Sequence, residues 1–443
     1  MKKLESAPAW YNDEFYYEAI KLRKELKLDD IIQKINEEYY YWDKVKYQKN
    51  EFDISPELLW TIVKLSRVVN AKKIKFGEYT FQYNISNKIQ KALHEFDLNI
   101  GGTLVTQGVI PEEDKKRYLT SSIMEEAIAS SQIEGAVTTR KKAKEMLRKN
   151  AKPKTKSEQM IVNNYTTIKH IVSLKNEPLT ERRLFEIHKL ITKDTLDDIT
   201  DEGCYRDNND VNVVDVMDGE TIYTPPVHDK LPDLMKDLFH FFNTTEKDTF
   251  IHPIIKAAVI HFMIGFIHPF VDGNGRTARA LFYWYLLRNG YWLTEYLSIS
   301  RLIVKSKTQY AQAYLYSEID GNDITYFIDY KIKTMDLAFQ DLRKYIQRKI
   351  NEKKQLINFQ KLKCVNERQA IILKWIYDEP DSIFSVKEIE VRFNVSNQTA
   401  RADLLALVEM KYLDIIEQNK KTKVYSKSEK FDMLTDGHTP KNL

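Results

Sequence analysis

Cysteine is almost missing from this chain: only Cys204 and Cys364 occur in 443 residues, far apart and without partners at metal-ligand spacing. That scarcity excludes a disulfide framework and a zinc ribbon, and it fits a reducing cytoplasm. Long apolar runs are also lacking, none approaching the length that crosses a bilayer. At the N-terminus, MKKLESAPAWYNDEFYY follows its two lysines with acidic and polar residues, so no secretory leader is expected. Glycine (13) and proline (12) are sparse, which excludes fibrous and low-complexity classes and favours helix. No sign of charge dominates either: 68 basic residues against 64 acidic leave a net of +4, too little to announce a nucleic-acid partner.

What the chain does have is material for several cores, with 43% hydrophobic residues over a length at which a single core stops growing. From about residue 12 to 100, Phe15, Ala19, Leu22, Leu58, Ile62 and Leu65 recur at helical spacing and predict a helical region, taken to extend to residue 115. Gly101, Gly102 and Pro111 predict a loop reaching to about Arg117. Ser122 with Glu125 reads as a capping box and Gly135 as a left-handed stop, predicting a helix over 121–135. SEQMIVNNYTTIKHIVSL, LTERRLFEIHKLIT (with Thr180 as N-cap), LPDLMKDLFHFFN and HPIIKAAVIHFMIGFIHPF predict further helices. Between them NVVDVMDGETIYTPP, residues 212–226, breaks the period: β-forming valines, then Asp218-Gly219, then Ile222 and Tyr223 predict a β-hairpin, placed at 211–226.

The segment His268-Pro-Phe-Val-Asp-Gly-Asn-Gly-Arg276-Thr-Ala-Arg279 joins two apolar helices. Pro269 ends the first and leaves His268 at its C-terminal end. Gly273 and Gly275 allow a tight turn and close approach of an anion to the amides around Asn274, where a new helix begins. Arg276 and Arg279, three apart, share a face near that positive helix end and suit a polyphosphate. Asp272 offers a carboxylate to Mg²⁺, and His268, titrating near neutrality, suits a general base.

HPFVDGNGRTAR resembles the pattern HxFx(D/E)GNGRxxR of the Fic family at every fixed position, and the likeness runs from about Leu119 to Tyr330. The resemblance implies a mainly α, all-helical core (116–345) with the hairpin as a flap that holds a target segment by strand addition. It implies AMP transfer from Mg-ATP to a Ser, Thr or Tyr hydroxyl of a target protein or of the chain itself, with pyrophosphate released. His268 would be the base and Asp272 the Mg²⁺ ligand. Gly273, Asn274 and Gly275 would form the anion hole, with Arg276 and Arg279 on the outer phosphates. Tyr310 and Tyr314 are candidates for the adenine side, although core packing is the preferred reading of both. Ser130-Ser-Gln-Ile-Glu134-Gly135 resembles the family's inhibitory motif (S/T)xxxE(G/N), which implies that Glu134 pairs with Arg279 and denies it to the γ-phosphate. His261, two turns before His268, and His188 and His252 read as core histidines in preference to metal ligands.

Two basic stretches, Arg140–Lys156 and Arg343–Lys363, read as solvated helix faces or linkers, the second as a linker helix over 346–364. From 365 to 428 the order of short helices and two strands predicts a winged helix-turn-helix, and 429–443 a loose tail. If that module reads DNA, Asn397, Gln398 and Arg401 reach base edges and Lys420, Lys421 and Lys423 meet phosphates, while Asp403 and Glu409 dilute the positive face. Two alternatives to the transferase stay open: a DNA-binding regulator that senses nucleotide, and removal of AMP through the same site. The target and the oligomeric state are not legible in the sequence.

Overall fold

A computed structural model describes residues 4–11, 13–25, 28–49, 54–99, 112–214, 219, 221–244, 249–362, 364–417 and 423–436. The chain divides into two compact units, Met1–Leu342 and Arg343–Leu443. No described helix is long and apolar enough to cross a membrane.

The centre of the first unit is a pair of helices, Pro253–Ile267 and Asn274–Arg288, buried on nearly every side. The first is apolar around nearly its whole circumference, as a helix without a solvent face tends to be, while the second is polar in its first turns, where Asn274, Arg276, Thr277 and Arg279 are buried, and apolar beyond. His252 caps the first, its ring Nδ1 accepting from the Ile254 amide at 3.2 Å. The second ends at Arg288, and Gly290 just beyond it takes φ +84°, the left-handed geometry common after a helix end.

Around this pair pack Glu112–Ile133, Lys156–Ser173, Glu181–Thr192, Leu231–Asn243 and Lys307–Ile319. Thr180 caps Glu181–Thr192 as expected, accepting from the Arg183 amide. The helix expected to begin at Ser122 begins ten residues earlier, at Glu112. Ser122 is inside it, donating to the Tyr296 carbonyl at 3.0 Å, and Glu125 meets Arg140 and Lys144. The Glu-Glu-Asp run at 112–114, which favours a helix N-terminus, is the start signal that the apparent capping box obscured. The predicted loop at 101–117 is thus helical from 112, and residues 100–111 lie outside the described residues.

The N-terminal region is not wholly helical. Lys72–Phe76 and Tyr79–Tyr83 pair antiparallel around Gly77, with Ile74, Phe76, Phe81 and Tyr83 inward. The alternation in KKIKFGEYTFQY carried that hairpin, and the helical period of its neighbours concealed it. The Tyr79 ring meets Phe266 edge-on at 5.2 Å, so this hairpin braces the end of the first central helix. The predicted flap exists as Val213–Val214 and Thr221–Tyr223, an antiparallel pair with a register shift between Val213 and Val214. Its expected turn lies mostly outside the described residues.

The helix Thr325–Gln360 contains most of the segment expected as a separate linker helix. In the second unit, helices Glu367–Asp378, Val386–Phe393 and Asn397–Glu409 accompany a three-stranded sheet. Its strand order is Phe384–Ser385, Lys423–Lys427, Leu413–Glu417. Asn366 and Gln369 form a reciprocal capping box, and Ser385 and Ser396 cap the next two helices. Asp403 is buried and bound by Arg368 and Asn366, so it does not dilute an exposed face as expected. The tail expected to be loose forms a helix at Phe431–Asp436, fastened by a fully buried Phe431. Residues 437–443 and Lys420 and Lys421 lie outside the described residues.

Candidate active site

The first central helix ends at His268, which adopts φ +50° and donates its amide to the Ile264 carbonyl at 3.0 Å. Its ring Nδ1 lies 3.2 Å from the Gly265 carbonyl, so Nδ1 carries the proton and Nε2 keeps a lone pair. Burial lowers the His268 pKa, and the Gly265 contact and the charge of Glu134 oppose that only in part. At neutral pH His268 is therefore a neutral imidazole with an accepting nitrogen.

The loop that follows is stapled by Asn274, whose Oδ1 accepts from the Phe270 amide (3.0 Å) while Nδ2 donates to the Phe270 carbonyl (2.8 Å). Gly273 has φ +83°, and a Cβ there would lie 2.9 Å from Thr192 Cγ2 and 3.3 Å from His188 Nε2. Only glycine fits that backbone and that space. The helix then starts at Asn274, and its first-turn amides have no intrahelical acceptor, which makes an anion cradle.

Glu134 lies over that cradle. A Cβ on Gly275 would be 2.3 Å from Glu134 Oε1 and 3.2 Å from Arg279 Nη1. Arg279, 2% exposed, donates to Glu134 Oε1 at 2.9 Å, to Ser130 Oγ at 2.8 Å and to the Ser130 carbonyl at 3.0 Å. Its Nη1 is buried with no hydrogen-bond partner among the described residues. Gly135, at φ +90°, turns the chain just after the helix, and Lys307 donates to the Gln132 carbonyl at 2.9 Å. The unfavourable position of a carboxylate at a helix C-terminus is thus offset by two cations.

The structure separates the two motif arginines. Arg276 is fully buried and engages the Ile191 carbonyl and Asp272 Oδ2, each at 3.0 Å. It braces the loop in this state; each arginine keeps one buried nitrogen without a hydrogen-bond partner among the described residues, Nε of Arg276 and Nη1 of Arg279, and it is Arg279 that meets Glu134. Asp272 is half-exposed, and its Oδ1 accepts from the Gly273 amide at 2.5 Å. No described cluster of three side chains could hold a metal alone, and one accessible carboxylate is what a protein contributes to Mg²⁺ arriving on a polyphosphate. Asp272 fits that role.

Two positioning residues escaped the sequence. His188 accepts from the Gly203 amide at Nδ1 (3.0 Å), so Nε2 carries the proton and donates to the Asp272 carbonyl (2.9 Å). Its ring stacks on Phe270 at 3.7 Å, and burial pushes its pKa down to about 4. Arg206 donates to the carbonyls of His268 (2.9 Å), Asn208 (2.7 Å) and Pro226, while its own amide donates to Pro269. It ties the motif to both ends of the flap. Apart from the Phe270 ring, the partners just named are backbone groups, which leave no trace in a residue pattern.

His261 is fully buried among aromatic rings with Nε2 2.8 Å from the Tyr310 hydroxyl, a core histidine as expected. Tyr314 packs its ring and hydroxyl against Gly265, within 2.6–2.8 Å of where a Cβ would stand. Both tyrosines thus pack the core beneath the motif, each with some surface left accessible.

Residues 178–286 match the Fic/DOC family model. A stretch of 120 residues is 35% identical to the protein adenylyltransferase Fic of Drosophila mojavensis, covering 26% of this chain and 22% of that protein. Over 69 residues the chain is 38% identical to the protein adenylyltransferase fic-1 of Caenorhabditis elegans, covering 16% and 13%. The match thus spans about a fifth or less of the length of these relatives. A Fic family protein from Desulfovibrio desulfuricans G20 shares the mainly helical fold, with a TM-score of 0.50, 20% identity, and 77% of this chain and 94% of that chain covered. The segment that contains His268, Arg276 and Arg279 thus matches the Fic/DOC family.

Proposed function

We propose that the chain is a protein AMP-transferase held inactive by Glu134. The observation that carries the reading is the placement of one carboxylate against both Arg279 and Gly275: the cradle built for an anion contains the chain's own. With Glu134 withdrawn, the γ-phosphate of ATP would take Arg279, and the amides of Asn274 and Gly275 would hold the bridging phosphates. Asp272 would hold Mg²⁺, which supplies charge neutralisation between the phosphates. A target segment would extend the flap by strand pairing at Val213 and Val214, in line with the exposure of Val214. His268 Nε2 would take the proton of its Ser, Thr or Tyr hydroxyl, whose oxygen bonds to the α-phosphorus as pyrophosphate leaves.

The test is incorporation of label from α-labelled ATP with Mg²⁺. Glu134→Gly is expected to label itself or an added target at least about tenfold faster than the wild type, and His268→Ala in that background to fall to blank level. Equal labelling of all three proteins sinks the reading, and release of AMP from a pre-modified target without incorporation would assign the site to the reverse reaction.

A further inference from the structure

Ser122, Glu126 and Ser130 of the helix Glu112–Ile133, with Glu134 just past its end, follow one another at four-residue intervals and so form one row. The last two of the row meet Arg279. The first two meet a different partner. Ser122 donates to the Tyr296 carbonyl at 3.0 Å, and Glu126, 4% exposed, accepts from the Ser300 amide at 2.9 Å and from the Ser300 hydroxyl. Both anchors are thus on one short segment, 296–300. That segment is tied in turn to the motif helix, one turn beyond Arg279: the Tyr283 hydroxyl donates to the Leu297 carbonyl at 3.2 Å and accepts from the Ile299 amide at 3.0 Å. Lys307, seven residues after Ser300, closes the other end of the row through the Gln132 carbonyl.

These contacts fix a register. Another face of the same helix packs through Met124 and Ile128 against Met146, Leu147 and Ile161. Apolar contact of that kind has no direction and tolerates a slide, whereas a hydrogen bond weakens steeply with distance and angle. A slip of one residue carries a helix about 1.5 Å along its axis and turns its row by about 100°. Glu134 Oε1, 2.9 Å from Arg279, would then leave bonding distance. Glu126 is eight residues, about 12 Å, from Glu134, so it governs the cradle only through the helix that carries both.

We propose that Glu126 and Lys307 are positioning residues of the inhibition. Bound to Ser300 and to the Gln132 carbonyl, they clamp the helix in the register where Glu134 occupies the cradle. The segment 296–307 is therefore the control element: moving it off the helix frees Arg279 with Glu134 still in the chain. The inference rests on the autoinhibited reading of the site and adds the part that sets and releases the inhibition.

Two measurements on the full chain test the clamp: hydrogen exchange over residues 126–136 without nucleotide, and label incorporation from α-labelled ATP with Mg²⁺. Lys307→Met, an exposed position where the fold is not at stake, should speed both about three- to tenfold at an unchanged melting temperature. Lys307→Arg, which keeps a donor, should stay within about twofold of the wild type. Glu126→Gln, whose amide turns an N–H toward the Ser300 donors, should act at least as strongly as Lys307→Met; if it fails to fold, Lys307→Met alone decides. In the Glu134→Gly background neither substitution should change labelling by more than about twofold, because the carboxylate they position is gone. Unchanged exchange and labelling in Lys307→Met, or an equal rise in labelling with and without Glu134, would overturn the clamp. Faster exchange in Lys307→Met beside a Glu134→Gly protein that never incorporates label would uphold the clamp and fail the transferase reading.

Discussion

Single atoms decide how this site behaves. At Gly275 the space for one methyl group separates an occupied cradle from a blocked one, because a Cβ there falls 2.3 Å from Glu134 Oε1. Gly275→Ala on its own displaces Glu134 yet fills the room an anion oxygen needs. In the Glu134→Gly background, where no glutamate remains to be displaced, Gly275→Ala is therefore expected to cut AMP incorporation by at least about tenfold, measured as initial rate at saturating ATP. His188 gives a second residue-scale expectation. Its folded pKa of about 4 lies below the ordinary 6.5, so the unfolded chain takes up the proton first. Its contribution is fully present above pH 6.5 and is lost as pH falls toward 4, amounting to about 3 kcal/mol. Urea midpoints should show wild type and His188→Gln converging by about 2–3 kcal/mol between pH 7 and 4.5. A constant difference would remove His188 as the source.

At the scale of elements, the flap is held by a few polar contacts and little apolar burial. Arg206 reaches Asn208 before it, Pro226 after it and His268 at the base of the motif, and Tyr223 fastens its second strand to Phe266. Arg206→Ala leaves several carbonyls without a donor and lets the hairpin drift from His268. In the Glu134→Gly protein, KM for a target should rise and kcat fall, about tenfold each, while ATP affinity changes less than threefold. Tyr223→Phe removes one hydrogen bond and should cost about 1 kcal/mol in thermal unfolding. These contacts also mark what the sequence could carry. The motif was legible because its residues are contiguous and each type acts locally: a proline stops a helix, glycines take positive φ, and an asparagine staples the loop. The Glu134–Arg279 pair spans 145 positions and was legible only through resemblance to a family. His188 and Arg206 bind mainly carbonyls and amides, which every residue owns. The hairpin at Lys72–Tyr83 was lost because period-two and helical patterns overlap in short apolar stretches.

At the scale of the whole first unit, the N-terminal region is fastened to the segment that follows the tyrosine-bearing helix. Lys64, 1% exposed, meets Asp320 at 2.8 Å, and Asp320 also accepts from the Tyr326 hydroxyl. Arg67 adds bonds to Tyr326, Asn36 and the Tyr40 carbonyl. A buried pair of this kind adds little net stability over apolar residues, because desolvation consumes most of its attraction, yet breaking it on one side is expensive. Burial already biases Asp320 toward its protonated form, and Lys64 is first among the groups that oppose this. Lys64→Met therefore leaves a carboxylate that must either protonate or stay buried without its cation. The expected loss is about 3–5 kcal/mol at pH 7, read from urea unfolding. Adding Asp320→Asn, which keeps an acceptor for Tyr326 and carries no charge, should restore more than half of it. The two losses simply adding would mean that the ion pair does not couple these segments. If they couple, Lys64→Met should also weaken ATP binding in the Glu134→Gly protein, since the fastened Asp320 directly follows the helix Lys307–Ile319 that carries Tyr310 and Tyr314 beneath the motif.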